Sequence, residues 1–276
     1  MTDARALAHL RPVRRAALGA FLAQLGRDMQ VLRRNLGVFA LRTVMQPLLF
    51  VFVFTYVFPK IGQGVGGRSG EVAFSTLLVP GVVAIACIFQ GIQAVALPLV
   101  SEFGYTREIE DRVMAPLPVW GVALEKITAG ALQGLLAAAV VFPLAAFIPA
   151  TPVHLDVDWP ALLVVAPLAT VAGAALGLTI GTRAKPHQVP LVFSVVVIPI
   201  TFLGATYYPW ASLSPIPWLK WLVLVNPLVY MSEGFRAALA PHLPHMPLWA
   251  VYCGLLGCCG VLVWQGIAGF RTRVLA

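Results

Sequence analysis

The sequence predicts an all-α integral membrane protein with six transmembrane helices, an N-terminal amphipathic helix lying in the interface and an external re-entrant helical hairpin. Three observations predict it. The 276 residues are 59% hydrophobic and only 11% charged, where soluble domains carry about 25% charged residues. Apolar runs recur along the chain, most of them near the length of about 20 residues that a helix needs to cross a bilayer. The basic residues fall on alternate sides of those runs, as the positive-inside rule requires. Residues 1–36 read as a cytoplasmic N-terminus and residues 37–276 as the transmembrane domain. This composition leaves no room for a large soluble domain. The net charge of +8 fits topology and contact with anionic lipid heads, with no call for nucleic acid.

In residues 1–36, Leu18, Phe21, Leu22, Leu25, Met29, Leu32 and Leu36 recur at intervals of three and four. Arg14, Arg15, Arg27, Arg33 and Arg34 lie mostly off that stripe, so the segment is expected to lie on the cytoplasmic membrane surface. Arg14-Arg15 is no export signal here, because a polar-striped helix follows it in place of an apolar core and a small-residue cleavage site. The first span covers about 37–58, with Arg42, Gln46 and Pro47 in its first turns; Arg42 is expected to snorkel to the surface. A glycine-rich external loop occupies 59–71, and no Gly-Lys-Ser/Thr follows its glycines.

The second span is about 72–97, with a kink expected at Pro80-Gly81 and with Gln90 and Gln93 on one face. A charged island follows at 101–117, holding Glu102, Arg107, Glu108, Glu110, Asp111 and Arg112. Thr106 can cap a short helix there, the acidic residues sit near its positive end, and Pro116 and Pro118 stop it. Such a two-faced helix either touches a partner or is a solvated loop. The third span is about 120–148; the adjacent Glu125 and Lys126 near its start are expected to point apart at the interface, with Gln133 deeper. His154, Asp156 and Asp158 in the next loop read as a solvated turn, not a metal site.

The fourth span, about 160–182, carries Gly173, Gly177 and Gly181 at a spacing suited to close helix packing. The fifth is about 189–205, with Pro190 and Pro199. Residues 206–240 are apolar and aromatic but are broken at Pro209, Pro215, Pro217 and Pro227. No unbroken piece there can cross a bilayer, so two short helices joined near Asn226-Pro227 are expected to dip into the outer leaflet and return. Tyr207, Tyr208, Trp210, Trp218, Trp221 and Tyr230 suit the interface. Glu233 and Arg236, three apart, can pair on one helix face. This stretch is either part of a cargo path or an external cap. The last span is about 248–270, followed by Arg271 and Arg273. Cys87, Cys253, Cys258 and Cys259 lie in apolar runs without metal-binding spacing and read as small core residues. With both termini cytoplasmic, fifteen of the 19 Lys and Arg fall inside.

The island ending REIEDRVMAPLP and the later NPLVYMSEGFR, together with the N-terminal interfacial helix, resemble the membrane subunit of ABC type-2 exporters over nearly the whole chain. The resemblance implies that residues 104–115 form a cytoplasmic coupling helix docking on an ATPase, with Tyr105, Arg107, Glu108, Glu110, Asp111 and Arg112 as its contact residues. It implies that Tyr208, Trp210, Trp218, Asn226, Tyr230, Glu233 and Arg236 belong to the re-entrant hairpin and cargo path, and that Arg27, Arg33 and Arg34 on the interfacial helix buttress the docking contact. It further implies two ATPase subunits and two permeases per complex, a second copy of this chain or a related one, in the cell membrane. This chain would bind no cofactor and catalyse no reaction. ATP and Mg would sit on the separate ATPase, since no lysine here follows a glycine as a phosphate-cradling loop requires.

The cargo expected on that resemblance is a lipophilic drug, antibiotic or lipid-like molecule moved outward, or else a polysaccharide or lipid-linked glycan. A membrane-embedded enzyme is disfavoured because Glu125, Glu233 and Arg236 fall near opposite membrane faces. An ion-coupled transporter is disfavoured because only Gln90, Gln93 and Gln133 interrupt the apolar midplane.

Overall fold

A computed structural model describes residues 4–57, 60–61, 67–106, 108–114, 116–148 and 153–275. All regular structure among them is helical. Helix α1 (Ala4–Arg34) turns at Asn35 into α2, an apolar helix over Leu36–Val57 whose last turns open to π geometry at Phe52–Val57. Helix α3 (Gly67–Ser101) passes through a second π turn (Glu102–Thr106) before α4 (Glu108–Val113). Then come α5 (Val119–Phe147), α6 (Trp159–Arg183), α7 (Pro186–Phe202), α8 (Pro217–Leu222), α9 (Pro227–Leu239) and α10 (Leu248–Leu275).

Helices α3 and α6 form the centre. In their most apolar stretches 72% and 61% of residues are buried, against 18% for α2 and 22% for α10. The glycine stripe explains how α3 and α6 come so close. A methyl group on Gly177 would lie 2.6 Å from the carbonyl oxygen of Gly91, and one on Gly181 would lie 3.0 Å from Cα of Ala96. The two backbones touch, so dispersion contacts replace side-chain packing, as in other small-residue membrane interfaces. Gly81 plays a different part. Pro80 sits inside α3, and a methyl on Gly81 would meet the carbonyl of Thr206, so the loop after α7 leans directly on the α3 backbone.

Helix ends are closed by identifiable groups. The Asp158 carboxylate accepts from the Ala161 N–H at 3.2 Å and starts α6. Arg273 Nη1 donates to the carbonyls of Gly181, Thr182 and Ala184 at 2.9–3.1 Å and ends it. The loop before α6, expected as a solvated turn, is pinned: the N–H groups of Asp156 and Asp158 donate to the carbonyls of Leu239 and Ala238, which finish α9.

Among the described residues, five helices are long and apolar enough to cross a membrane, where the sequence predicts six. The difference is α7. Its 17 residues reach about 25 Å at 1.5 Å per residue, short of a hydrocarbon core about 30 Å thick. Two prolines explain its form. Neither Pro190 nor Pro199 has an N–H to donate, and between them the helix widens to π geometry at Phe193–Val197. The stretch after α7 matches its expected break: α8 and α9 are separate short helices meeting at Asn226. The Asn226 side chain accepts from the Leu228 N–H at 2.9 Å, capping α9, and donates to the Ile200 carbonyl at 2.7 Å.

Candidate functional site

Helix α4 is too short to be stable alone. It is held by its own side chains. Ile109 is 5% exposed and packs with Val122, Ala123 and Ile127 of α5. Arg112 reaches inward at 6% exposure, where its Nη2 meets Asp28 of α1 at 2.9 Å and Glu102 at 3.5 Å, while Nη1 lies 3.8 Å from Glu125. Lys126 Nζ bonds Glu102 at 2.7 Å and lies 3.6 Å from Asp28. Gln24 of α1 donates to the Arg112 carbonyl at 3.1 Å. One buried network therefore ties α1, the π turn, α4 and α5 together. Outside it, Arg27 and Glu108 pair at 2.9 Å with both side chains about half exposed.

The network is unbalanced. Three carboxylates (Asp28, Glu102 and Glu125) face two cations, Arg112 and Lys126. Among the described residues, both oxygens of Glu125, Oε2 of Glu102, Nε and Nη1 of Arg112 and Oε1 of Gln24 are buried without a hydrogen bond. Burial alone would weaken the Arg112 charge, but Glu102, Asp28 and Glu125 outweigh it and hold the guanidinium above its ordinary pKa. Arg112 is thus firmly charged, and its field is shared among carboxylates that cannot all be satisfied at once.

The structure divides the residues expected on a docking face. Tyr105, before α4, is 75% exposed, and Met114, just after it, is 77% exposed. Glu108 is half exposed. Arg112 faces the other way, into the protein, so in this chain it anchors α4. Arg107, and the side chains of Glu110 and Asp111, lie outside the described residues. Arg33 and Arg34 are exposed in the last turn of α1, and Arg27 contacts Glu108. Glu125 and Lys126 correct an expectation: adjacent residues on a helix do point apart, yet both are buried, at 0% and 4%. Packing α1 and the π turn against α5 encloses both directions at once. Asp28 is missed by sequence reading, although one signal marks it: it is the only acidic residue between Ala4 and Leu36, set among arginines.

The second cluster lies on α9. Glu233 and Arg236 pair directly, and both are fully buried. Glu233 Oε1 accepts from the Trp210 N–H at 2.7 Å and Oε2 from the Met246 N–H at 2.6 Å. Arg236 Nη2 donates to the Ala205 carbonyl at 2.9 Å. Ala205 has a left-handed φ of 51°, unusual without glycine, and the bond from Arg236 holds it there. The pair thus fixes two connections, the one after α7 at two points and the one between α9 and α10. Around it, Trp210 is half buried and donates Nε1–H to the Lys220 carbonyl at 2.9 Å. Trp218 is 68% exposed, and Tyr208 is half buried. The Tyr230 ring packs where a methyl on Gly254 of α10 would stand. The residues expected along a cargo path therefore separate into outward aromatics and a sealed staple.

Together, these features define a multi-pass helical membrane protein with a short charged helix fastened to its span ends. The chain belongs to the ABC-2 type transporter family, whose model matches residues 19–240. It is similar to the inner membrane transport permease YadH of Escherichia coli (strain K12), 28% identical over 201 residues that cover 71% of this chain and 74% of the relative. The protein of the same name from Shigella flexneri matches to the same extent. It is thus a member of a family of transport permeases, generally not enzymes, that work with ATPase subunits.

Proposed function

We propose that the chain is the membrane subunit of an ATP-driven exporter in the inner membrane, with six crossings, both termini cytoplasmic and ATP hydrolysis on a separate chain. The observation that carries this reading is the buried network that fastens α4 to α1 and α5 through Arg112, Asp28, Glu102 and Lys126. A helix pushed by a closing ATPase moves a membrane domain only if it is rigidly attached to the spans, and buried ion pairs supply such an attachment. The docking surface is formed by α4 and the turn before it, where Tyr105 and Glu108 are accessible; the family resemblance adds Arg107, Glu110 and Asp111, and Arg112 transmits from behind. Arg27, Arg33 and Arg34 on α1 support the contact from the side.

On this reading, α7 is the remaining crossing and α8 and α9 form the external re-entrant hairpin, sealed by Glu233–Arg236. Two copies of the permease, or this chain and a related one, enclose the cargo route with two ATPases. ATP-driven closure biases the permeases between conformations. The cargo is a lipophilic drug, antibiotic or lipid-like molecule. The exposed faces of Trp218 and Trp221 also suit sugar rings, which favours a lipid-linked glycan as the second reading.

The test is to tag this chain in its native membrane, purify it in mild detergent and assay for co-purifying ATPase. Stoichiometric recovery of a soluble-type ATPase whose hydrolysis responds to lipophilic compounds is expected. Recovery of the chain alone under every gentle condition overturns the reading.

A further inference from the structure

A cavity of about 520 Å³ opens beside the ion network, between α1, α2, α3 and α5. Val38 and Phe39 give it an apolar wall, and Arg42, Gln90, Gln93 and Gln133 give it a polar one. The carboxylates on its rim pair with other cations, Asp28 and Glu102 with Arg112 and Lys126, and Glu108 with Arg27. Arg42 makes no ion pair or hydrogen bond among the described residues. Thr43 donates to Gln90 Oε1 at 3.0 Å, and Gln90 Nε2 donates to Gln133 Oε1 at 3.4 Å. Gln90 is therefore partly engaged, while the Gln133 amide N–H₂ and the whole Gln93 amide have no partner among the described residues. Gln93 lies about 14 Å along its helix from Glu102, and Gln133 about 11 Å along its helix from Lys126, by the helical rise. What the cavity offers at that depth is the Arg42 guanidinium, with no ion-pair partner among the described residues, and amide donors next to apolar surface. Arg42, expected to snorkel to the membrane surface, is exposed and lines this cavity.

We infer that this cavity seats the anionic, oxygen-rich head of an amphiphilic cargo, with Arg42 as the charge partner and Gln93 and Gln133 as amide donors. A guanidinium and two amides match the acceptor oxygens of a phosphate or carboxylate head. A purely apolar cargo would leave these donors unpaired in a low-dielectric site, at a cost. The inference deepens the exporter reading and rests on it for the word cargo, but the seat is testable without any ATPase.

The experiment measures binding of two fluorescent probes to the purified permease in neutral detergent without nucleotide: a dodecyl phosphate and the dodecyl alcohol carrying the same fluorophore. The phosphate is expected to bind about tenfold more tightly. Arg42→Gln abolishes that preference, Arg42→Lys keeps part of it, and Gln93→Leu weakens the phosphate by about threefold. The melting temperature of each variant stays at the wild-type value, because neither side chain supports the fold. Equal binding of the two probes, or a preference that survives Arg42→Gln, overturns the inference. Displacement of the phosphate probe by millimolar inorganic phosphate also overturns it, because the site would then hold free anions and not amphiphiles. An ATPase that fails to co-purify sinks the exporter reading and leaves these binding results as they are.

Discussion

Glu233 and Arg236 are sealed on one helix with almost every polar atom bonded, two of their partners being backbone N–H groups and one a backbone carbonyl. Asp28, Glu102, Arg112, Glu125 and Lys126 come from four segments, carry one carboxylate too many, and leave several buried atoms without hydrogen bonds. Both clusters remove charge from water, which costs several kcal/mol per ion unless geometry repays it. The α9 pair meets that condition and so holds one arrangement. The network at α4 meets it only in part, so it ties its four segments together at a desolvation cost that the α9 pair largely avoids. A staple on one helix positions loops. A network drawn from four segments fastens a short helix to the spans.

The largest effect expected from this contrast is on the staple. Arg236→Leu strands the Glu233 carboxylate in a fully buried site, a loss of about 3–5 kcal/mol. The measurement is folded yield and melting temperature in detergent, and most of the variant is expected to aggregate. Glu233→Gln keeps one acceptor oxygen and should lose about half as much. If Arg236→Leu melts like the wild type, the pair is not the lock described here.

Next in size is Lys126→Met. It removes one of only two cations facing three carboxylates, and a loss of about 3 kcal/mol is expected. Glu125→Gln should go the other way. It relieves the excess negative charge and gives up no hydrogen bond, so stability should stay level or rise by up to about 1 kcal/mol. A clear loss of stability in Glu125→Gln would mean that the network is better satisfied than its geometry indicates. For function, Arg112→Gln should leave the chain inserted while cargo-dependent stimulation of the co-purified ATPase drops. Full stimulation in that variant would remove Arg112 from the force path.

Most of the fold was legible in the sequence, because its signals are local. Apolar length marks the spans, prolines mark the breaks around α7, α8 and α9, and the glycine spacing at 173, 177 and 181 marks the α3–α6 contact. The pairing of Glu233 with Arg236 was legible for the same reason, both being on one helix face. The network at α4 was not. Its members are separated by 84 residues between Asp28 and Arg112 and by 24 between Glu102 and Lys126, so no spacing rule connects them. Glu125 and Lys126 even misled, since local helix geometry says they diverge and only tertiary packing says that both directions are enclosed. The fifth crossing was legible only in part: the apolar run continues to 205, but the helix stops at Phe202, ahead of a left-handed residue at 205.

The smallest effect concerns the one ion pair among the described residues of this region that water still reaches. Arg27 and Glu108 meet at 2.9 Å with side-chain exposures of 53% and 45%. Such pairs contribute at most about 1 kcal/mol, and less at high salt. Exchanging them as Arg27→Glu with Glu108→Arg should therefore leave the melting temperature unchanged and insensitive to salt. The single change Glu108→Arg sets two cations side by side and should lower stability by about 0.5 kcal/mol at low ionic strength. In moderate salt that loss should vanish. The losses from Lys126→Met and Arg236→Leu should persist there, because ions in solution do not screen groups they cannot approach. A salt series on the three variants thus separates the exposed pair from the two buried clusters. If Lys126→Met were rescued by salt as readily as Glu108→Arg, the network behind α4 would be open to water and no rigid attachment for that helix.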